Sequence, residues 1–249
     1  MTERTEDDGG TGVPGRTDWD AVFWDIGGVI LALDTVQAAH ADFIGDVLER
    51  HDVDATLEEA IETWRTTVGD YFRERDGTEF RSARDGYHRG IASIVGEPVP
   101  REEWEPRFDT VVRSSIEPVP GAPETIARLA DRTLHVGVIS DVDDAEGRQM
   151  LEQFGVRKYF DSITTSEEVG RTKPDPAIFE TALEKADVDP ERSLMIGDRY
   201  EHDVEGAAEM GIHGVAFGAD DGPAVSYRIE SPEDVLEIVS GRGERLYRP

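Results

Sequence analysis

Five short, nearly continuous apolar runs, each ending at glycine or a polar residue, constrain this chain more than any other feature. They are AVFWDI from Ala21, LHVGVIS at 134 to 140, FDSITTS at 160 to 166, SLMIGD at 193 to 198 and GVAFG at 214 to 218. Runs of this length with little polar alternation suit strands buried on both faces of a parallel sheet. Helical patterns lie between them: PETIARLA, EGRQMLEQFG with Gly155 as a C-terminal stop, and DPAIFETALEKA with Asp175 and Pro176 as a start signal. The alternation predicts an α/β fold built on a doubly wound parallel sheet.

From about Asp34 to Ser115 the alternation stops and only helical patterns remain. Ile61, Trp64, Val68 and Tyr71 recur at helical spacing after the capping signal Thr56-Leu57-Glu58-Glu59, with further helical pieces around Phe80 to Ile94 and Glu102 to Ile116. The aromatic stripe reads as packing core. A helical insertion after the first strand sits over the carboxyl edge of the sheet, where such folds bind ligands, and so forms a cap. The expected organisation is a tail at 1–19, an α/β core at 20–34 and 116–249, and an all-helical cap at 35–115. The tail lacks the basic and apolar regions of a signal peptide, and no apolar run approaches the ~20 residues of a membrane span, so a cytoplasmic location without membrane anchoring is expected.

The 249 residues hold 55 acidic and 26 basic side chains, a net charge of −29. That balance argues against nucleic acid or an anionic membrane as partner. The absence of cysteine removes disulfides, thiol nucleophiles and Cys-ligated zinc, so any metal is held by oxygen or imidazole. Carboxylates are spread along the chain, and only Lys158, Lys173 and Lys185 are lysines. The composition resembles that of proteins from salt-accumulating halophiles, whose self-repulsion is screened as the Debye length shrinks to ~3 Å at 1 M salt.

Four polar signals stand at or just after predicted strand ends: Asp25 in FWDIGGV, Ser140 in VISD, Lys173 in RTKPDP, and Asp198 with Asp203 in IGDRYEHD. A parallel sheet brings such ends to one crevice. Crowded carboxylates repel one another unless a cation joins them, and hard oxygen ligands favour Mg²⁺. A phosphoryl group would complete the charge balance. Singly, each signal has a structural reading, since a strand-end aspartate caps turns and Lys-Pro-Asp-Pro is a good helix entry. Their fixed order makes the combination specific.

From about residue 20 to 220 this order of motifs resembles the haloacid dehalogenase-like hydrolase superfamily, in its branch with a helical cap after the first motif. The resemblance implies that Asp25 is the nucleophile and a Mg²⁺ ligand, with the backbone carbonyl of Gly27 as a second ligand. It implies that Ser140 hydrogen-bonds the transferring phosphoryl oxygens and that Lys173 neutralises nucleophile and phosphate. Asp198 then ligates the metal, and Asp203 orients metal-bound water or Lys173.

One departure stands out: the family's usual first motif is Asp-x-Asp, whereas Gly27 occupies the second position here, followed by Gly28. The resemblance implies loss of the group that protonates the leaving oxygen and then activates water. Some members, including sugar-phosphate phosphatases, carry a similar Asp-x-Gly motif. Asp34, His40 and His88 are candidate substitutes, each histidine having the alternative of a solvated or packed residue. Asp141 stands where the family commonly has a neutral polar residue, and it is expected to turn outward because nothing nearby in sequence pairs it. Arg171 either adds charge to the site or faces solvent.

The reading is a Mg²⁺-dependent phosphatase acting on a small phosphorylated metabolite through an aspartyl-phosphate on Asp25. One alternative is a weakly active or non-catalytic phosphometabolite-binding or interaction protein, motivated by Gly27. Another is a 2-haloacid dehalogenase using Asp25 on carbon without metal, a branch that usually has tyrosine where Gly27 stands. Oligomeric state is not legible in the chain.

Overall fold

The computed structural model describes residues 19–243. Its first strand, β1 (Ala21–Trp24), is buried at every position. Side chains alternate across a strand, and here Val22 and Trp24 join one hydrophobic cluster while Ala21 and Phe23 join another. A strand apolar on both faces must be covered on both, and β1 accordingly lies inside the sheet. It pairs in parallel with β2 (His135–Ser140) on one side and with β4 (Ser193–Gly197) on the other. With β3 (Ser162–Thr165), β5 (His213–Phe217) and β6 (Val225–Ile229), the sheet has six parallel strands in the order β3-β2-β1-β4-β5-β6. The winding direction reverses at β1, which places a ligand crevice at the carboxyl ends of β1, β2 and β4.

All five expected strands are present. The sixth, β6, is an edge strand whose buried Val225, Tyr227 and Ile229 alternate with the more exposed Ser226 and Arg228, so it lacks the continuous apolar signature of its neighbours.

Four consecutive helices follow β1: α1 (Leu33–Arg50), α2 (Leu57–Arg73), α3 (Ala83–Val95) and α4 (Arg101–Ser115). They share their own core, in which Phe43, Trp64, Ile91, Trp104 and Phe108 are buried, and they form the all-helical cap. The capping box of α2 is complete, with Glu59 N donating to Thr56 Oγ1 at 3.3 Å and Thr56 N donating to the Glu59 carboxylate at 2.8 Å. Trp64 and Tyr71 of the expected stripe are buried.

The sheet is flanked by α5 (Ala122–Ala130), α6 (Asp144–Gln153), the short α7 (Ser166–Val169), α8 (Pro176–Ala186), the short α9 (Gly206–Glu209) and α10 (Val235–Val239). Asp175 caps α8 by accepting from Ala177 N at 3.0 Å. Trp19, expected in the tail, belongs to the core: it is buried in the main cluster and its indole N–H donates to Ile238 O at 3.3 Å. Residues 1–18, the rest of that tail, lie outside the described residues. Among the described residues no helix is long and apolar enough to cross a membrane.

Candidate active site

Asp25 follows β1 directly, and its N–H donates to Ile196 O of β4 at 3.0 Å, which continues the strand register to the first site residue. Ser140 is the last residue of β2, buried at its pairing with Thr165 of β3. Asp198 follows β4, and Asp203 lies in the π-helical turn Tyr200–Glu205. Lys173, remote from all of these in sequence, is delivered by the segment before α8. The topology thus brings together the five side chains expected from the sequence.

Lys173 is fully buried and holds the group together. Its ammonium lies 2.9 Å from Asp25 Oδ1 and 2.5 Å from Asp203 Oδ1, and it donates to Ile139 O at 3.1 Å. Burial works against the ammonium charge, but Asp203 and Asp25 outweigh it and raise the Lys173 pKa. Asp203 is buried too and resists ionisation on that account. Lys173, Arg199 and the bond from Arg199 N at 2.9 Å reverse the balance and hold its carboxyl below the ordinary range. Burial pushes Asp25 up, with Lys173 opposing. Burial together with the charges of Asp25 and Asp203 pushes Asp198 up to about 6.

Carboxylate oxygens of Asp25, Asp198 and Asp203 all lie within 4.8 Å of one another. With Asp141, four carboxylates in this cluster face the two cations Lys173 and Arg199. Hard oxygen donors with uncompensated negative charge fit a divalent cation of the Mg²⁺ type. Gly28 permits this crowding: its φ is +71°, and a Cβ there would stand 2.0 Å from Asp198 Oδ2. Gly27 and Ser140 line a cavity of about 470 Å³ between core and cap.

The expectation for Asp141 is corrected, and the alternatives open for Arg171, Asp34, His40 and His88 are narrowed. Asp141 does not face solvent unpaired: it accepts from Lys173 N at 2.8 Å and from Arg199 Nη2 at 2.8 Å, and it lines the cavity. Arg171 is exposed and takes no part in the cluster; the arginine paired with the carboxylate cluster is Arg199, through Asp141 at 2.8 Å. Sequence reading missed Arg199 because its partner Asp141 is 58 positions away, although its place beside Asp198 was a usable signal. Asp34 is exposed and does not line the cavity. His88 stacks on Trp104 and its Nδ1 accepts from the Trp104 indole N–H at 3.3 Å, so it is a packing residue of the cap. His40 does line the cavity, but burial lowers its pKa to about 4 and keeps it neutral. Glu146 was also missed, a buried carboxyl on α6 that lines the same cavity.

Comparison with known proteins agrees with this architecture. The profile of the haloacid dehalogenase-like hydrolases matches residues 19–211, and the chain belongs to that family. It is 32% identical over 113 residues to a glyceraldehyde 3-phosphate phosphatase of Methanothermobacter thermautotrophicus, a match that covers 45% of this chain and 50% of that protein. The chain thus spans about half the length of this curated relative. Among solved structures it is similar to a haloacid dehalogenase-like phosphatase from Thermococcus onnurineus, with TM-score 0.68 and 22% identity over 90% of this chain and 100% of that one. A magnesium-bound hydrolase of this type from Bacillus subtilis gives TM-score 0.69 and 16% identity, covering 89% of this chain and 98% of that one. At such identities the structural likeness speaks to the fold alone.

Proposed function

We propose that this chain is a Mg²⁺-dependent phosphatase that hydrolyses a small phosphate ester through a phosphorylated Asp25. The observation that carries the reading is the buried Lys173 ammonium held against both Asp25 and Asp203, in a group whose neighbours Gly27, Ser140, Asp141 and Arg199 line the cavity. A buried ammonium needs counter-charge whatever its role, and what favours catalysis is that this pairing sits at the carboxyl edge of the sheet, beside the cavity. Support also comes from the relative named as a phosphatase, and the carboxylate oxygens of Asp25, Asp198 and Asp203, all within 4.8 Å of one another, support the metal.

In this reading Asp25 attacks phosphorus. A bond forms between its carboxylate oxygen and phosphorus while the bond from phosphorus to the ester oxygen breaks, and that oxygen leaves with the electron pair. Phosphoryl transfer spreads charge over the equatorial oxygens, so positioning and fixed positive charge do most of the work. Lys173 supplies charge beside the nucleophile, Arg199 supplies it at the cavity wall, and the Ser140 hydroxyl donates to a phosphoryl oxygen. Bound by Asp25, the Gly27 carbonyl and Asp198, with Asp203 in support, Mg²⁺ would withdraw negative charge from the phosphoryl group. Water then attacks phosphorus, releasing phosphate and the free Asp25 carboxylate. Asp203 serves throughout by fixing the Lys173 ammonium.

Gly27 favours one second reading, a phosphometabolite-binding protein with little turnover, because no acid stands where the family usually has one. The acidic pair Asp198 and Asp203 weighs against carbon-centred dehalogenation, which needs neither. The acidic composition supports a cytoplasm of high salt as the setting, without nucleic acid as partner. Turnover of p-nitrophenyl phosphate with and without Mg²⁺ separates enzyme from binding protein. Asp25→Asn should lower that turnover by at least ~10³-fold while the circular dichroism spectrum is kept. Retention of turnover within tenfold in this variant would remove Asp25 from the proposed role.

A further inference from the structure

The cavity between core and cap has both polar and apolar walls. The core contributes Gly27, Ser140 and Arg199, whereas Leu33, Val36, Phe72, Phe80 and Val112 come from the cap side together with the polar His40, Arg75, Arg81 and Tyr87. Its volume of about 470 Å³ falls in the range that encloses a whole small ligand. Apolar surface predominates in the lining, so a ring would bury more of it than a polyol of the same size.

Of the carboxyls that line the cavity, Asp141 and Asp143 accept backbone hydrogen bonds, whereas Glu146 has a buried oxygen with no donor. Glu146 has a side chain only 18% exposed, and its Oε2 is buried without a hydrogen-bond partner. The nearest cation, Arg84 Nε, stands 3.7 Å away, beyond hydrogen-bond length, and Arg84 is committed to Asp109 at 2.6 Å. Burial raises the Glu146 carboxyl, with Arg84 opposing and Asp143 and Asp109 adding to the rise. Buried acceptors without donors are rare in folded proteins, and isolated polar groups in apolar pockets fix ligand orientation.

We propose that the cavity takes a phosphate monoester whose organic part is an apolar ring carrying one hydrogen-bond donor remote from the phosphate, and that Glu146 accepts from that donor. This inference rests on the phosphatase reading of the same site and names its substrate class. Glu146 is then a specificity residue, set apart from the phosphoryl-transfer groups.

The test compares four primary alkyl phosphates with similar leaving groups: the 3- and 4-hydroxy isomers of 2-(hydroxyphenyl)ethyl phosphate, 2-phenylethyl phosphate and glycerol 3-phosphate. The wild type should show the highest kcat/KM for one hydroxyphenyl isomer, by about tenfold over the phenyl ester, and the lowest for glycerol 3-phosphate. Glu146→Leu, checked for folding by its melting temperature, should bring the hydroxyphenyl-to-phenyl ratio close to one. Preference for glycerol 3-phosphate, or a hydroxyl preference that is absent or survives in Glu146→Leu, would overturn the proposal. If no ester is turned over, p-nitrophenyl phosphate included, the phosphatase reading fails by itself, and if p-nitrophenyl phosphate alone is turned over that reading stands and the alkyl esters are compared by binding. Calorimetric binding of the corresponding phosphonates to the wild type then decides the cavity inference: tighter binding of a hydroxyphenyl phosphonate supports it, and equal binding of all overturns it.

Discussion

A side chain at position 27 would meet little resistance, since the nearest atom to a Cβ built there is Leu33 Cδ2 at 3.7 Å and the backbone is not left-handed. The missing acid is therefore a chemical choice with room around it, in contrast to Gly28, which no larger residue can replace beside Asp198. Without an acid at position 27 the departing oxygen leaves with little proton assistance, so wild-type kcat/KM should depend steeply on leaving-group pKa. Gly27→Asp should raise kcat/KM, which reports the first displacement, by up to ~10²–10⁴ for simple alkyl phosphates and by much less for aryl phosphates. Equal, shallow dependence in wild type and variant would show that another acid already serves. At this scale the convergence of Asp25, Ser140, Lys173, Asp198 and Asp203 was legible because their motifs follow a fixed order, with Asp25, Ser140 and Asp198 at strand ends and Asp203 and Lys173 in the turn after β4 and the segment before α8. Asp141 was not: its partner Arg199 is made adjacent only by the sheet, and an outward-facing acid was the natural expectation from local sequence.

Helix α1 carries a titrating group into the cap core. The His40 ring lies 5.8 Å from Trp64, 5.3 Å from Tyr87 and 5.6 Å from Phe108 between ring centres. Burial lowers its pKa from the ordinary 6.5 to about 4. Below 6.5 the unfolded chain takes up a proton that the folded one refuses, so this contribution to stability is complete above 6.5 and is lost as pH falls toward 4. The slope reaches at most ~1.4 kcal/mol per pH unit. Denaturant midpoints at pH 7 and pH 5 should therefore drop less in His40→Phe than in wild type, and equal drops would place the ring in contact with water. Other elements were legible to different degrees. Strands buried on both faces, such as β1, announce themselves by unbroken apolar runs, while β6 hides because Ser226 and Arg228 interrupt it. The cap helices were legible through the Thr56 capping box and the Trp64 stripe. Trp19 was not, because its partner Ile238 lies at the far end of the chain.

For the molecule as a whole, charge dominates. A net −29 on 249 residues repels itself in dilute buffer, and most ion pairs at the surface are too exposed to offset that repulsion. The melting temperature should climb from dilute to molar KCl, and a flat or falling curve would remove the halophile reading while leaving the enzyme reading intact. The covalent step also belongs to this scale, because it needs the strand ends, Lys173 and the cavity together. With an aryl phosphate the first displacement is fast, whereas the second lacks the group at position 27 that would activate water, so phosphorylated enzyme should accumulate. Rapid acid quench of enzyme, p-nitrophenyl phosphate and Mg²⁺, followed by peptide mass spectrometry, tests this directly. The account predicts a burst of p-nitrophenol stoichiometric with enzyme and phosphate on the peptide containing Asp25. Steady turnover with no phosphate on Asp25, or with phosphate on another residue, would contradict it.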